Sequence, residues 1–437
     1  MKVKVIGAGL AGCEAAWQMA ERGIQVELIE MKPDKSSPAH VSGSFAELVC
    51  SNSFRSDELT NAVGLLKEEM RRLGSLTIKI ADKTRIPAGG ALAVDRTRFA
   101  AGVTERIVSH PGIVITHREA TEIPEGRVVI ATGPLTSDNL AEKLTALLPD
   151  REMLSFFDSA APIVTFDSVD MGSAYFASRY GKGSADYINC PMTRQEYIDF
   201  QRELMTAEES HVHGFEDNRV FEGCVPVEVL SRRGEDTMRF GPLKPVGLPD
   251  PKSGREPYAV VQLRKDNTEG TLYNIVGFQT HLKFSEQKRV FSMIPALRNA
   301  EFVRFGVMHR NTYLDSPKLL DRYNRLKSDL RISFAGQITG VEGYVESASS
   351  GLLTGIETAR EILGLPPADF PKETAIGALA LYTSGGAVSD FQPMNINFGL
   401  IEPINEKIRG KRNKNLAISE RSLKIIDGLL DDWGVLK

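Results

Sequence analysis

The sequence predicts an α/β protein: a doubly wound parallel sheet interrupted by an inserted α+β domain. Three observations predict it. Residues 4–30 read as a buried strand, a glycine turn, a helix, a second apolar strand and an acid. Residues 127–133 read as another buried strand, closing on Ala131-Thr132-Gly133. Residues 330–363 read as a strand, a glycine-rich turn and a small-residue helix.

The first stretch holds Gly7-x-Gly9-x-x-Gly12. Gly7 permits the tight turn, Gly9 lets a pyrophosphate approach the backbone, and Gly12 lets the helix sit close to the strand. Ala8, Leu10 and Ala11 complete the turn and open the helix, whose free N–H groups and positive dipole end suit phosphates. The helix covers 10–22, and Gly23 can stop it. Glu30 ends the next strand at the roughly twenty-residue spacing at which a carboxylate accepts hydrogen bonds from a ribose. Because the whole unit is present, this is a dinucleotide site and not a bare glycine turn.

A loop rich in Pro, Ser and Lys follows over 31–43, and residues 45–56 set Cys50 among small polar residues. Helices are expected over 61–73, with Gly74 beyond the end, and over 95–109. Residues 86–94 hold Pro87 and Gly89-Gly90 and read as loop or edge. A short strand covers 113–116, and the strand at 127–133 carries Thr132 and Gly133 to the cofactor's side. From about 135 to 330 the pattern loosens, with strand candidates at 162–166, 258–263 and 272–276 and a turn-rich loop at 247–254. It holds no second G-x-G-x-x-G after a strand. The last parallel strand, 330–337, brings Gly336 and Gln337 to the cofactor, and a helix over 348–363 supplies a second dipole end. This return motif separates an FAD fold from a simple NAD fold, so the expected architecture is glutathione-reductase-like. The FAD-binding domain would comprise 1–135 and 330–437, with the insertion over 136–329. In the tail, Ser419 is expected to cap a helix whose Ile426, Leu429, Leu430 and Trp433 share one face.

At 437 residues the chain can bury a large core. A net charge of −4 means that any nucleic-acid surface must be a local patch. No apolar run reaches membrane-spanning length, and the early first strand leaves no room for a signal peptide. Cys13, Cys50, Cys190 and Cys224 are scattered and form no CxxC, which argues against a disulfide framework, a zinc site and a disulfide oxidoreductase. A cytoplasmic protein is expected. His211 and His213 lack ligands at metal spacing and read as a loop pair, so no metal is expected.

Four stretches then point to one family: the opening turn through Ala16, Leu48-Val-Cys-Ser-Asn-Ser-Phe-Arg55, Phe221-Glu-Gly-Cys-Val-Pro-Val-Glu228, and Phe334-Ala-Gly-Gln through Ser347. Over essentially its whole length the chain resembles the TrmFO family of folate- and FAD-dependent tRNA (uracil-C5-)methyltransferases. The wider GidA-like tRNA-modifying flavoproteins share the first and last motifs, but carry a C-terminal helical domain for which this chain is too short. The resemblance implies methylation of a T-loop uridine in tRNA, with methylenetetrahydrofolate as one-carbon donor and NADPH or NADH as reductant of the flavin. The same chemistry on ribosomal RNA, or a GidA-like modification of the wobble uridine, are the alternatives.

Carbon 5 of uracil is a poor nucleophile until a thiolate adds at carbon 6. The family match assigns that thiol to Cys224. Cys50 matches the family's other functional cysteine, either holding the flavin face or assisting proton transfer. By themselves such cysteines read as small buried hydrophobes, as Cys13 and Cys190 do here. Tyr344 opens the return helix and either reaches the flavin or folate ring or sits in the core. Arg55, Glu222 and Glu228 lie near the two thiols in sequence and otherwise read as solvated charges. For RNA phosphates the candidates are Arg71-Arg72, Arg96 with Arg98, Arg232-Arg233, and the tail cluster Lys407, Arg409, Lys411, Arg412 and Lys414, placed before the last helix. The target base would have to be flipped out to reach the flavin.

Overall fold

The computed structural model describes residues 2–148, 153–159, 161–181, 184–210, 225–306, 308–385 and 391–433. The opening strand Lys2–Ile6 lies inside a six-stranded sheet ordered Arg325–Leu326, Asp329–Phe334, Val128–Ile130, Lys2–Ile6, Gln25–Glu30, Ile113–His117. The last five are parallel, and the first pairs antiparallel with its neighbour. Both faces are covered, which is why these strands read as continuous apolar runs. Val5 and Val129 face one core with the helices Leu10–Glu21 and Tyr344–Ile362. Ile6, Ile130 and Phe334 face the other, against Leu140 and Leu144 of the helix Asp138–Leu147. This is the doubly wound sheet expected.

The insertion leaves and returns through one antiparallel ribbon, Leu154–Ser159 against Met308–Tyr313. Between them stands a second six-stranded sheet, ordered Tyr175–Ala177, Tyr187–Met192, Ala259–Lys265, Leu272–Ile275, Ile163–Thr165, Phe302–Arg304, antiparallel throughout. Its core holds Tyr197 and Phe200 of the helix Arg194–Thr206 and Phe291 of Phe284–Phe291.

Residues 86–94, read as loop or edge, hold the end of the edge strand Arg85–Ile86, a turn over 87–90 and the strand Ala91–Val94, which is the centre of a small antiparallel sheet with Ser53–Ser56. Two local expectations are corrected. The return helix starts at Tyr344, four residues early, because Gly343, at φ +106°, makes the turn that admits it. The last helix is one long element, Lys411–Trp433, entered from Gly410 at φ +86°. Ser419 therefore sits inside it, and its hydroxyl donates to Leu59 O (2.7 Å) instead of capping. Lys411, Arg412 and Lys414 belong to its first turn.

Candidate functional site

Gly7 and Gly12 have a steric reason. A Cβ on Gly7, at φ +98°, would stand 2.6 Å from Ala131 O, and one on Gly12 would stand 1.8 Å from Gly7 O. A Cβ on Gly9 would meet nothing within 4 Å, so the space above it is open. That space belongs to a cleft of about 1130 Å³, its open mouth included. Gly7, Ala8, Gly9, Leu10, Ala11, Glu30, Thr132, Gly133, Gly336, Gln337 and Tyr344 all line it; Gly12 lies behind the turn.

The acid and the return turn are already oriented. Glu30 accepts hydrogen bonds from Ala8 N (2.6 Å) and Lys32 N (2.9 Å), tying the second strand to the glycine turn. Each carboxylate oxygen keeps a further lone pair for a ribose hydroxyl. Gly336 N donates to Ser350 Oγ (3.0 Å), and the Gln337 amide donates to Glu342 Oε2 (2.6 Å). The turn, the acid and the open phosphate position fit a dinucleotide such as FAD.

Cys50 is half-buried and follows Val49, which lines this cleft. Its N–H and that of Ser51 both donate to the Tyr344 hydroxyl, at 2.7 and 3.1 Å. On the other side Arg264 of the insertion donates to Ser51 Oγ (2.9 Å) and Asn52 Oδ1 (3.0 Å). The cysteine loop is thus clamped between the return helix and the second sheet. Burial first, and then the proximity of Cys50, push the Tyr344 phenol up, so it stays protonated.

Arg55 does not serve the thiol; its guanidinium pairs with buried Glu346. The cations that do lie near Cys50 and Tyr344 are Arg96 and Arg304, far from either in sequence. Arg96 makes a two-toothed pair with Asp266, at 3.2 and 2.9 Å. His40, also in the cleft wall, shares a short contact with Ser37 Oγ (2.6 Å). Burial and the Lys32 charge hold its imidazole below its ordinary pKa, favouring the neutral ring. Sequence reasoning missed Arg304 and His40 as site residues and assigned Arg96 to RNA phosphates; for His40 the signal was its position in the loop between the ribose acid and Cys50.

Cys224, Glu222, His211 and His213 lie outside the described residues. Glu228 is not a solvated charge. It is fully buried, accepts from Thr280 Oγ1 (2.8 Å) and His281 N (2.9 Å), and meets His281 Nδ1 at 2.5 Å. Cys13 and Cys190 are buried, and burial pushes both thiols up. Of the RNA candidates, Arg71, Arg72, Arg98 and Arg232 are also spent on ion pairs. Lys407, Arg409, Lys411, Arg412 and Lys414 are exposed, and among the described residues no ion pair holds them. Among the described residues no His/Cys/Asp/Glu group is arranged to hold a metal ion, and no helix is long and apolar enough to cross a membrane.

Comparison with known proteins agrees with this layout. The family model described as glucose inhibited division protein A matches residues 2–366. The chain is 60% identical over 425 residues to a protein of Acetivibrio thermocellus named methylenetetrahydrofolate--tRNA-(uracil-5-)-methyltransferase TrmFO, covering 97% of each. It is 57% identical to the Lactobacillus gasseri protein of the same name, again over 97% of each. The fold is that of the solved Aquifex aeolicus GidA structure, with a TM-score of 0.69 at 18% identity, covering 98% of this chain and 73% of that one. On its near-full-length identity to these relatives, the chain belongs to the TrmFO group of the GidA family of flavoproteins.

Proposed function

We propose that the protein moves a one-carbon unit from methylenetetrahydrofolate to carbon 5 of a T-loop uridine in tRNA. The observation that supports this reading is the Cys50 loop, hydrogen-bonded to Tyr344 and Arg264, beside a cleft that Val49 and Tyr344 line and that fits a dinucleotide. The names of relatives 57–60% identical over nearly the full chain supply the substrates. Bound FAD supplies the one-carbon carrier and hydride chemistry. Gly7 to Gly12, Glu30, Thr132, Gly133, Gly336 and Gln337 hold it. Taking a methylene group to a methyl group consumes one hydride, so a reductant is required, and NADPH or NADH fills that role.

The chain's own residues then have distinct tasks. Cys224 adds to carbon 6 of the uracil, which makes carbon 5 nucleophilic. Cys50, next to the cleft residue Val49, has two guanidinium groups nearby, which stabilise negative charge developing on its sulfur. Neutral His40 is available as a proton acceptor at the cleft wall. The exposed tail cations contact RNA phosphates. Labelled methylenetetrahydrofolate, NADPH and unmodified tRNA, followed by mapping of the label, test the reading. Label in a T-loop uridine is expected. Label only in ribosomal RNA, in a parallel assay, would move the target, and no transfer to either RNA would refute the activity. Cys224→Ala is expected to keep its FAD and lose methyl transfer; full activity would remove Cys224 from the reaction.

A further inference from the structure

Among the described residues Arg304 is a cation held in no ion pair. It ends the strand Phe302–Arg304, the edge strand of the insertion's sheet. It is half-buried and close enough to Cys50, Tyr344, Glu47 and Arg96 to interact with their charges. Yet among the described residues no carboxylate and no hydrogen-bond acceptor meets its guanidinium. Its neighbours are committed elsewhere. Asp266 holds Arg96, and Glu47 accepts from Val41 N (3.0 Å) and Ser42 N (3.2 Å). A half-buried guanidinium beside a second guanidinium, with no protein partner of its own, favours an arriving anion.

The strand end that carries it is held in place. Phe302 and Phe305, on either side of it, stack at 5.4 Å and 10° between planes, and Phe305 stacks on Phe284 at 4.8 Å and 14°. Backbone pairing of Arg304 with Ile163 fixes the strand end. Its neighbour Val303 is 54% exposed and Arg304 itself is half-buried, so this strand end reaches the surface. When a base is everted into a pocket, its sugar–phosphate backbone stays at the rim. A guanidinium fork matches two phosphate oxygens.

We propose that Arg304 receives a phosphate of the RNA strand beside the uridine that enters next to Cys50. This rests on the RNA-methylating reading and adds the residue that holds the strand at the site.

The test uses the FAD-bound full chain as wild type, Arg304→Gln and Arg304→Lys. Unmodified tRNA is titrated at several salt concentrations, and tetrahydrofolate is titrated separately against the flavin absorbance. Arg304→Gln is expected to weaken RNA binding roughly threefold to tenfold, and to flatten the slope of log affinity against log salt by about 1. Arg304→Lys should restore most of the slope, because it keeps the charge. Flavin spectrum, melting temperature and folate titration should stay as in wild type. An RNA titration in Arg304→Gln that overlays wild type at every salt overturns the proposal. So does weakened folate binding with RNA binding intact, which would give the guanidinium to a folate carboxylate. If Arg304→Gln fails to fold, the slope and affinity of Arg304→Lys decide: tighter folate dependence than RNA dependence again overturns it. Should wild type transfer no label from folate to RNA, the enzymatic reading falls; should wild type be active and Arg304→Gln bind RNA equally well, only the role of Arg304 falls.

Discussion

The Tyr344 hydroxyl accepts two main-chain N–H groups of the cysteine loop while its ring borders the cleft. Tyr344→Phe removes the acceptor and leaves both donors without it. The expected cost is about 1–3 kcal/mol of stability. FAD content should be kept, while methyl transfer falls more than tenfold as Cys50 loses its position. Denaturant melts and turnover per bound flavin check this, and wild-type turnover in the phenylalanine variant would assign Tyr344 to packing alone. At this scale the sequence was partly legible. The cleft-lining glycines, Glu30 and Tyr344 could be named from their motif. Arg55 and Glu228 were misjudged, because neither proximity to a cysteine in sequence nor a charge on a side chain reveals a buried partner. The partners here are Glu346, nearly 300 residues from Arg55, and His281.

Among elements, the opening helix Leu10–Glu21 and the return helix Tyr344–Ile362 approach each other closely. A Cβ on Gly351 would lie 2.2 Å from Ala11 O, and one on Gly355 would lie 2.7 Å from Ala15 O. The two helices meet backbone to backbone, which brings both N-terminal ends to the cleft. Gly351→Ala forces them apart, and overpacking of this kind costs about 1–3 kcal/mol. The variant should purify with less FAD and melt at lower temperature. Gly428 is the control: it lies in the helix Lys411–Trp433, and a Cβ there meets nothing within 4 Å. Gly428→Ala should stabilise by roughly 0.5–1 kcal/mol. If both variants melt alike, the close approach is not what the return helix depends on. The small-residue character of the return helix was visible beforehand, but its partner was not. Its start was misplaced because Tyr344 and Val345 read as part of the glycine turn.

Across the whole molecule, polar contacts join the insertion to the nucleotide fold around the cysteine loop. Besides Arg264, Asp95 accepts from Thr268 N and Oγ1 (both 2.8 Å), and Arg96 holds Asp266. The insertion itself carries a buried charge cluster, in which His281 lies between Glu228 (2.5 Å) and Glu209 (2.5 Å). Burial opposes its charge, but the hydrogen bonds to Glu209 and Glu228 outweigh that and raise its pKa to about 9. The native state therefore keeps a proton that the unfolded chain loses above about 6.5. The stabilisation is complete below pH 6.5 and is lost as the pH rises through 9, amounting to on the order of 3 kcal/mol. Melting temperature should fall over that window. His281→Gln, which takes up no proton, should lower it at pH 6 and flatten the slope; a wild-type profile flat from pH 6.5 to 9 would contradict the cluster's role.

Local pattern alone determined the doubly wound sheet, the dinucleotide turn with its ribose acid, and the presence of an insertion. These rest on periodicity, glycine spacing and apolar runs, which act between near neighbours in the chain. The tertiary structure decided what surrounds Cys50: Tyr344 from the return helix, Arg264 and Arg304 from the second sheet, and Arg96 from the start of the helix Arg96–Val108. Those contacts span up to about 290 residues. Charge pairing and desolvation depend on distance in space, and no spacing rule within one sequence carries that information.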